Sequence, residues 1–423
     1  MTADSFGNTI DPVTGFARGT VITSNTEEGL RLRNAQKIAT ERVRDLGTES
    51  IGVFTGNQRD YPIRPEDITT LCEEWIGPGL FAEELRAVAL EHLGAAPTDQ
   101  VAIFNRTSAG IIAAIVALAR EATVVSVVPS AGRSHASVIH GSRLADATLI
   151  EVTADESWAA EITKAAPALV IVTTVTSSLE RMDDAVSRRV VEHARSVRAV
   201  TLLDEAYGAR LRPALHGGVL SLHLGSDLSI TNCDKAGLSG PRAGVLVGRA
   251  PQVAKVAATG AGFGMEARAP IAAGALRSLQ RYSPHELRAE SRSGRQLAVA
   301  LDQQYPPGMV QTSDLGPMVH EDDVLHELLR MSGEPGRRSV VVPCEATAAL
   351  GMLLLRDHGI LTVNTHGQPG ARVSLRLKPT ADAIARVGSI EAVVKAVLTA
   401  MRELATVIYD RDAIAQLILG NTT

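Results

Sequence analysis

The lysine at position 235 is the side chain of this sequence best suited to covalent chemistry. It lies in the string TNCDKAGLSGPRAG from Thr231 to Gly244, after an apolar run and before a glycine-rich segment. A free amine on flexible backbone is what a Schiff base with a carbonyl compound requires. Lysine is scarce in the chain, and four others lie in helical windows where solvation is expected: Lys37, Lys164, Lys255 and Lys395. Taken alone, the motif also fits a loop lysine in a salt bridge.

A second candidate is Asp204, which closes the apolar run AVTLL and begins the string DEAYG. A carboxylate at the end of so apolar a strand costs desolvation energy unless a cation or a proton compensates it. The protonated nitrogen of a pyridine ring is such a cation, and a ring kept protonated is an electron sink. Ala206 points the same way two residues later, so its methyl group is expected to pack against the ring face. A metal-binding or helix-capping aspartate is the alternative.

A third candidate is the string NRTSAG from Asn105 to Gly110, which lies between the apolar run VAIF and an apolar helical window. A helix N-terminus offers free N–H groups and a positive dipole end, and small hydroxyl residues let a phosphate approach closely. Thr231 and Asn232, just before the lysine, are placed to add phosphate contacts. An ordinary Ser/Thr helix cap is the alternative for this string.

The three candidates together predict one cofactor. A phosphate site after an early strand, an aspartate at the end of a later strand and a lysine further on follow the chain order of fold type I enzymes that use pyridoxal 5'-phosphate (PLP). In that arrangement Lys235 forms the Schiff base and Asp204 pairs with the pyridine nitrogen.

Short β-branched runs alternate with helical windows from Val101 onward, and this alternation would position the candidates. The runs are VAIF, VVSVV, TLIEV, ALVIVTTV, AVTLL and AGVLVG. Such a pattern predicts an α/β fold with a mostly parallel sheet that helices cover on both faces. Ligands of such sheets collect at the carboxyl ends of the strands, where all three candidates lie.

We expect three segments along the chain: an N-terminal helix and loop at 1–65, a large PLP-binding domain at 66–300, and a small α+β domain at 301–423. The small domain is expected to hold a strand near Val340, a helix from Ala346 to His358, and strands near Leu361 and from Arg372 to Leu377.

The amino-acid composition limits the kinds of partner that the protein is expected to bind. The net charge is -5 and no basic block is present, so nucleic acid is not an expected partner. The apolar runs are of strand length and no leader sequence is apparent, so we expect a protein without membrane contact. The three cysteines, Cys72, Cys233 and Cys344, are far apart, which predicts neither disulfides nor a metal site and fits a cytoplasmic protein.

Several strings resemble the family of bacterial selenocysteine synthase (L-seryl-tRNA selenium transferase), and most closely its archaeal homologues of uncertain activity. These strings are TGNQRDYPI at 55–63, WIGPGL at 75–80, FNRTSAGI at 104–111, DEAYGARLR at 204–212 and SDLSITNCDKAGLSGPRAGVLVG at 226–248. They span most of the large domain. The resemblance implies the aspartate aminotransferase fold (fold type I), whose large domain holds a mostly parallel seven-stranded sheet. It also implies PLP as cofactor and an amino acid as substrate.

The resemblance also implies roles for particular residues. Thr107, Ser108 and Ala109 would cradle the phosphate, and His135 would stack on the ring. A helix-capping or surface histidine is the alternative for His135. Arg372 would clamp a substrate carboxylate, with Arg376 two residues later as the other possibility. Asn57 and Arg106 would contact substrate.

Sites in this fold type lie between subunits, so we expect at least a homodimer, with the loop Asn57, Gln58 and Arg59 reaching a partner's site. The resemblance favours elimination or replacement at Cβ through an aminoacrylate. An aminotransferase or racemase uses the same lysine and aspartate, and selenium transfer to aminoacyl-tRNA is a further alternative, although the acidic charge speaks against it.

Overall fold

The computed structural model describes residues 3–57, 60–69, 75–130, 132–334, 336–366 and 373–421. The chain divides into two units, one formed by Met1–Gly56 with Ala289–Thr423 and the other by Asn57–Arg288. The domain boundaries after residues 65 and 300 stay a prediction from sequence.

Strands are numbered in chain order. Their bounds are β1 Gly52–Val53, β2 Gln100–Phe104, β3 Thr123–Val128, β4 Thr148–Thr153, β5 Leu169–Thr173, β6 Val200–Asp204, β7 Leu228–Asn232, β8 Gly244–Gly248, β9 Val310–Ser313, β10 Gly316–Val319, β11 Ile360–Leu361 and β12 Leu375–Arg376.

Helices are numbered in the same way. Their bounds are α1 Asn25–Leu46, α2 Pro65–Thr69, α3 Ala82–Leu93, α4 Thr107–Leu118, α5 Ala136–Leu144, α6 Trp158–Ala165, α7 Asp184–Ser196, α8 Gly208–His216, α9 Ala250–Gly262, α10 Ala269–Gln280, α11 Pro284–Asp302, α12 Glu321–Met331, α13 Pro343–His358, α14 Val363–His366, α15 Ala381–Val387, α16 Ile390–Val407 and α17 Arg411–Leu419.

The unit Asn57–Arg288 contains a seven-stranded sheet in the order β2-β8-β7-β6-β5-β3-β4. Strands β4, β3, β5, β6 and β7 pair in parallel, and β8 is antiparallel to both of its neighbours. The predicted α/β fold with a mostly parallel seven-stranded sheet is therefore confirmed.

Both faces of this sheet are buried, as the continuous apolar runs predicted. Alternate residues of one strand enter different hydrophobic clusters: Leu202 packs with α4 and α9 residues, and Leu203 packs with α7 residues. Because successive strand side chains point to opposite faces, the two clusters cover the two sides of the sheet. This packing fixes the strand ends that carry the candidate residues.

The unit Met1–Gly56 with Ala289–Thr423 has its own core around the buried helix α13. It holds an antiparallel sheet in the order β12-β10-β9 and a parallel pair, β1 with β11.

The strand expected near Val340 is wrong. The residues there form bends that lead into α13, which begins at Pro343. The carboxylate of Glu345 accepts the Val342 N–H and the N–H groups of Val21 and Ile22, so it caps the helix and holds the N-terminal segment. An apolar run alone does not separate such an entry segment from a strand.

Candidate active site

Three strand termini meet at one edge of the seven-stranded sheet. Strand β8 is antiparallel to both β2 and β7, so β2 and β7 run the same way, and β6 is parallel to β7. Gly244 at the start of β8 pairs with both Phe104 and Asn232, the last residues of β2 and β7. Asp204 ends β6 beside them. The fold thus gathers the three candidate motifs, which lie far apart in sequence, at the carboxyl ends of neighbouring strands.

Asp204 is buried at this edge, with 5% of its surface exposed. Burial raises the pKa of its carboxyl from 3.8 to about 6, while the N–H of Ala206 and the positive charge of Lys235 act in the opposite direction. The N–H of Ala206 donates to Oδ1 over 3.4 Å, which is a long hydrogen bond for an ionised group. A cation placed against this carboxylate would remove most of its desolvation cost.

Lys235 follows β7 by three residues and is half-buried. Its Nζ lies 5.1 Å from the centre of the Tyr207 ring, within the range of a cation–π contact. Tyr207 is buried at 4% exposure and lies three residues after Asp204, so one short segment contributes both a carboxylate and a ring face toward the amine. Sequence reasoning missed Tyr207, and its only signal was its place in the DEAYG string.

The phosphate candidate lies at the first turn of α4. Arg106 is the N-cap residue, has an extended backbone and makes no side-chain capping bond, so Thr107 and Ser108 are the first two residues inside the helix. The ordinary Ser/Thr cap considered from the sequence is therefore not what the structure contains. The Thr107 hydroxyl donates to the Ala243 carbonyl at 3.4 Å. Ala109 is buried in the same turn.

Glycine at position 244 lets β8 approach this turn. A Cβ on Gly244 would lie 2.6 Å from the Arg106 carbonyl oxygen and 2.9 Å from the Thr107 Cα. Such contacts are with backbone and would force a displacement. The N–H groups of Ala109 and Gly110 donate to the Arg106 carbonyl at 3.1 and 3.2 Å. Those of Thr107 and Ser108, at the opening of the helix, have no acceptor in a preceding turn and are placed to receive an anion.

His135 lies before α5, which follows β3 at the same edge. It is the N-cap residue of α5, and its Nδ1 accepts the Ser137 N–H at 3.2 Å. An Nδ1 that accepts a backbone N–H carries no proton, so the neutral ring has its hydrogen on Nε2. Capping fixes the ring, and stacking of that ring on a cofactor stays a prediction.

Thr231 differs from the sequence expectation. It is fully buried, and its hydroxyl donates to the Glu205 carbonyl at 2.8 Å and accepts from Nη1 of Arg210 at 2.8 Å. These partners belong to the protein, so the structure gives Thr231 a supporting position under the lysine loop. The two hydrogen bonds of the Thr231 hydroxyl are made within the protein and do not support the expected phosphate contact.

The expected substrate residues are only partly described. Gln58, Arg59 and Arg372 lie outside the described residues. Asn57 is buried, and Arg376 is buried in β12.

The Arg106 side chain is exposed beside the α4 terminus, but its guanidinium group is partly desolvated by its neighbours. This desolvation, and then repulsion from Arg242, lower its pKa, whereas Asp234 raises it. Arg242 in turn contacts Asp234, with Nε 3.5 Å from Oδ2. Two guanidinium groups therefore share one carboxylate near the phosphate candidate.

The residues present fit PLP in chemical terms. They offer an amine for its aldehyde, a buried carboxylate in need of a cation for its pyridine nitrogen, and a helix N-terminus for its phosphate. Within the described part of the chain, no group of three or more His, Cys, Asp or Glu residues could hold a metal ion. No described helix is both long and apolar enough to cross a membrane.

No family model matches the chain. A curated protein, the "UPF0425 pyridoxal phosphate-dependent protein" of Methanothermobacter thermautotrophicus, is 32% identical over 394 residues, which is 92% of this chain and 97% of that protein.

Two solved structures share the fold. An aspartate aminotransferase from Rhodobacter sphaeroides has a TM-score of 0.57 and 15% identity, and the match covers 82% of this chain and 93% of that one. The SepCysS-SepCysE N-terminal domain complex has a TM-score of 0.57 and 14% identity, and the match covers 86% and 99%. At these identities the likeness concerns the fold alone, which is the predicted aspartate aminotransferase fold.

Proposed function

This chain belongs to the UPF0425 family of pyridoxal phosphate-dependent proteins, and on that premise we propose that its Lys235 carries PLP and acts on the Cα of a small amino acid that bears a leaving group at Cβ. The chain is a PLP-dependent enzyme of fold type I. The observation that carries the proposal is the placement of Lys235 and Asp204 at the ends of adjacent strands, where their charges interact.

PLP supplies an aldehyde that condenses with amines and a ring that accepts an electron pair from Cα. Lys235 contributes the amine that holds the cofactor. With a substrate bound in the site, the Lys235 Nζ would be the base that takes the Cα proton. Tyr207 holds the ammonium form of this amine against its ring face, 5.1 Å from the ring centre.

Asp204 is proposed to pair with the pyridine nitrogen of PLP. Its carboxylate is expensive to ionise in the protein alone, because burial raises its pKa to about 6. Asp204 would hold the pyridine nitrogen of PLP, and in that pair the carboxylate would stay ionised and favour a protonated nitrogen. We propose that Thr107, Ser108 and Ala109 bind the phosphate through the first turn of α4, that His135 covers the ring, and that Ala206 packs on its other face.

Resemblance to the selenocysteine synthase family supports chemistry at Cβ. In elimination, the Cα proton and the Cβ group leave, and one water then releases the keto acid and ammonia. With serine the products are pyruvate and ammonium, since the water consumed equals the water eliminated. In replacement, a second nucleophile takes the Cβ position instead.

Substrate recognition is proposed for three further residues. Arg372 or Arg376 would clamp the substrate carboxylate through the planar fork of a guanidinium group. Arg106, which is exposed beside the α4 terminus, and Asn57 would contact the rest of the substrate. We also propose a homodimer in which the loop that contains Asn57 contributes to the partner's site.

The test is covalent attachment followed by product analysis. Purified protein supplied with PLP should show a visible absorbance band that borohydride removes, and peptide mapping should find the label on Lys235. Lys235→Ala should lose the band, whereas Lys255→Ala, which changes an exposed lysine of α9, should keep it. A colourless wild type, or a label on another lysine, would refute the assignment.

Product analysis then separates the reactions. Amino acids with a hydroxyl, thiol or phosphate group at Cβ should yield keto acid and ammonia in equal amounts. Amino-group transfer to a keto acid without ammonia release would identify an aminotransferase, and loss of optical activity alone would identify a racemase. Transfer to aminoacyl-tRNA would need salt-sensitive RNA binding.

A further inference from the structure

Arg210 is a fully buried arginine whose guanidinium group spans the two loops of the candidate site. It lies on α8, near the start of the helix. Nε donates to the Ala236 carbonyl at 3.2 Å, and Nη1 donates to the Thr231 hydroxyl at 2.8 Å. Nη2 donates to the Asn232 side-chain oxygen at 2.8 Å and to the Ala206 carbonyl at 2.9 Å. The cation is thus solvated by uncharged oxygens of the protein.

The oxygens that accept hydrogen bonds from the Arg210 guanidinium group lie close in sequence to Asp204 and Lys235. Ala206 follows Asp204 by two positions, and Ala236 directly follows Lys235. Ala236 has a φ of 50°, in the left-handed region that costs a non-glycine residue about 1–2 kcal/mol. The Arg210 bond to its carbonyl helps to hold this backbone conformation, which sets the direction of the preceding lysine side chain.

A gain in folding stability does not explain why a charged guanidinium group is buried at position 210. Burial lowers the pKa of Arg210 and outweighs the attraction of Asp234 and Glu205. Among the described residues these carboxylates form their ion pairs with Arg242 and Arg212, and Arg210 forms none. A buried charge without an ionic partner is costly, and an apolar side chain of similar volume would usually be no less stable. An apolar side chain would, however, lose the hydrogen bonds that the planar guanidinium group of Arg210 makes to both loops.

Arg212 provides the contrast on the same helix. It is also fully buried, but its guanidinium group pairs with the carboxylates of Glu205 and Asp184 and donates to the Val219 carbonyl at 3.1 Å. None of these partners belongs to the loop that contains Lys235. Two buried arginines two residues apart therefore serve different parts of the structure.

We propose that Arg210 is a positioning residue that fixes the lysine loop, Thr231 to Gly240, relative to the segment after Asp204, so that the Lys235 amine is held where it can bond the cofactor. The inference deepens the proposed function, because it assumes the role of Lys235 in cofactor attachment. Arg210 acts through backbone carbonyls and the side chains of Thr231 and Asn232. This role requires no contact between Arg210 and the cofactor.

The first measurement is hydrogen–deuterium exchange of the apoprotein. In Arg210→Met, peptides that cover the lysine loop should exchange faster than in the wild type, while peptides of β3 and α7 stay unchanged. Arg210→Lys should behave in the same way, because an ammonium group on a flexible stem cannot satisfy four acceptors in a planar fork. Arg212→Lys keeps a cation beside its carboxylates and should leave the lysine loop protected.

The second measurement is PLP titration, read as the absorbance band and as borohydride-trapped label on Lys235. Loss of preorganisation should weaken attachment by about 10- to 100-fold in both Arg210 variants, since a displacement of about 1 Å at a reacting group can cost that much. Arg212→Lys should bind PLP as the wild type does. If both Arg210 variants fail to fold, Thr231→Val removes one acceptor of the fork at constant volume and should show the same effects in weaker form.

Folded Arg210 variants with wild-type loop exchange and wild-type PLP affinity would overturn the inference. Failure of the proposed function has a different signature: Lys235 is not labelled even in the wild type. Loop exchange in the apoprotein still tests Arg210 in that case, because it requires no cofactor.

Discussion

The carboxylate of Asp204 lies among apolar strand residues, and this environment decides how it titrates. The positive charge of Lys235 lowers the pKa of this carboxyl, yet burial outweighs that attraction. The group therefore ionises about two units above its ordinary value, from 3.8 to about 6. A cofactor cation would reverse the balance, so the apoprotein and the loaded protein should differ in their response to pH.

Asp204→Asn is expected to remove part of the pH dependence of apoprotein stability. A folded-state pKa raised from 3.8 to about 6 gives stability that is fully present below pH 3.8 and lost as the pH rises through 6. The contribution is on the order of 3 kcal/mol. Urea unfolding of apoprotein between pH 4 and pH 8 should show this decline in the free energy of unfolding for the wild type and a flatter curve for the variant.

Asp227→Asn is the control for removing a buried carboxylate. Asp227 is also buried, but it accepts bonds from Thr201 and pairs with Arg249. The variant should retain the decline in stability between pH 4 and pH 6. Identical pH profiles for the wild type and Asp204→Asn would show that Asp204 does not carry this dependence.

At the scale of helices and strands, the sequence predicted what short-range patterns can determine. Strand β6 was recognisable from its continuous apolar run, and Asp204 at its end stood out because a carboxylate is unusual there. The N-terminal helix expected within residues 1–65 is α1, Asn25–Leu46. These features depend on neighbours along the chain.

The features that the sequence did not predict depend on distant partners. The apolar run at the entry to α13 predicts a strand, but these residues pack against the core without pairing. The segment 1–65 is predicted to hold a helix and a loop, and strand β1 exists there only through its pairing with β11. Arg210 was one arginine of a helix, and nothing local showed that its acceptors would come from Asn232 and Ala236 more than twenty residues later.

Gly244→Ala should damage the junction of β8 with the first turn of α4. The added Cβ would lie 2.6 Å from the Arg106 carbonyl oxygen and 2.8 Å from its carbon, so the backbone of the helix start must shift. Overpacking of this kind costs about 1–3 kcal/mol. If the shift falls on the phosphate site, PLP affinity should drop by roughly tenfold or more.

Gly262→Ala is the matched control. It places the same methyl group at the end of α9, where nothing lies within 4 Å. Its PLP affinity, measured by titration of the absorbance band, should equal that of the wild type. A folded Gly244→Ala protein that binds PLP normally would argue that the first turn of α4 does not hold the phosphate.

At the scale of the whole molecule, the exposed apolar side chains of the segment 75–80 bear on assembly. Trp75 is 73% exposed, Ile76 is 75% exposed and Leu80 is 50% exposed. Three large apolar side chains exposed within six residues point to a surface that a partner covers. The segment belongs to the same unit as the candidate site, so burying it against a second copy fits the proposed homodimer with shared sites.

Ile76→Glu should therefore dissociate the protein. A charge in the middle of an apolar interface loses its hydration without gaining a partner, which costs several kcal/mol and outweighs what one such patch contributes. Light scattering after size exclusion should give twice the chain mass for the wild type and one chain mass for the variant. Leu144→Glu places the same charge at an apolar residue that is 56% exposed at the end of α5, and this variant should remain dimeric. A wild type of one chain mass would refute the homodimer, and a dimeric Ile76→Glu protein would place the interface elsewhere.

If the partner completes the site, the monomeric variant should still carry PLP on Lys235 but turn over substrate poorly. In that arrangement PLP attachment depends on residues of one chain, whereas substrate binding depends on both chains.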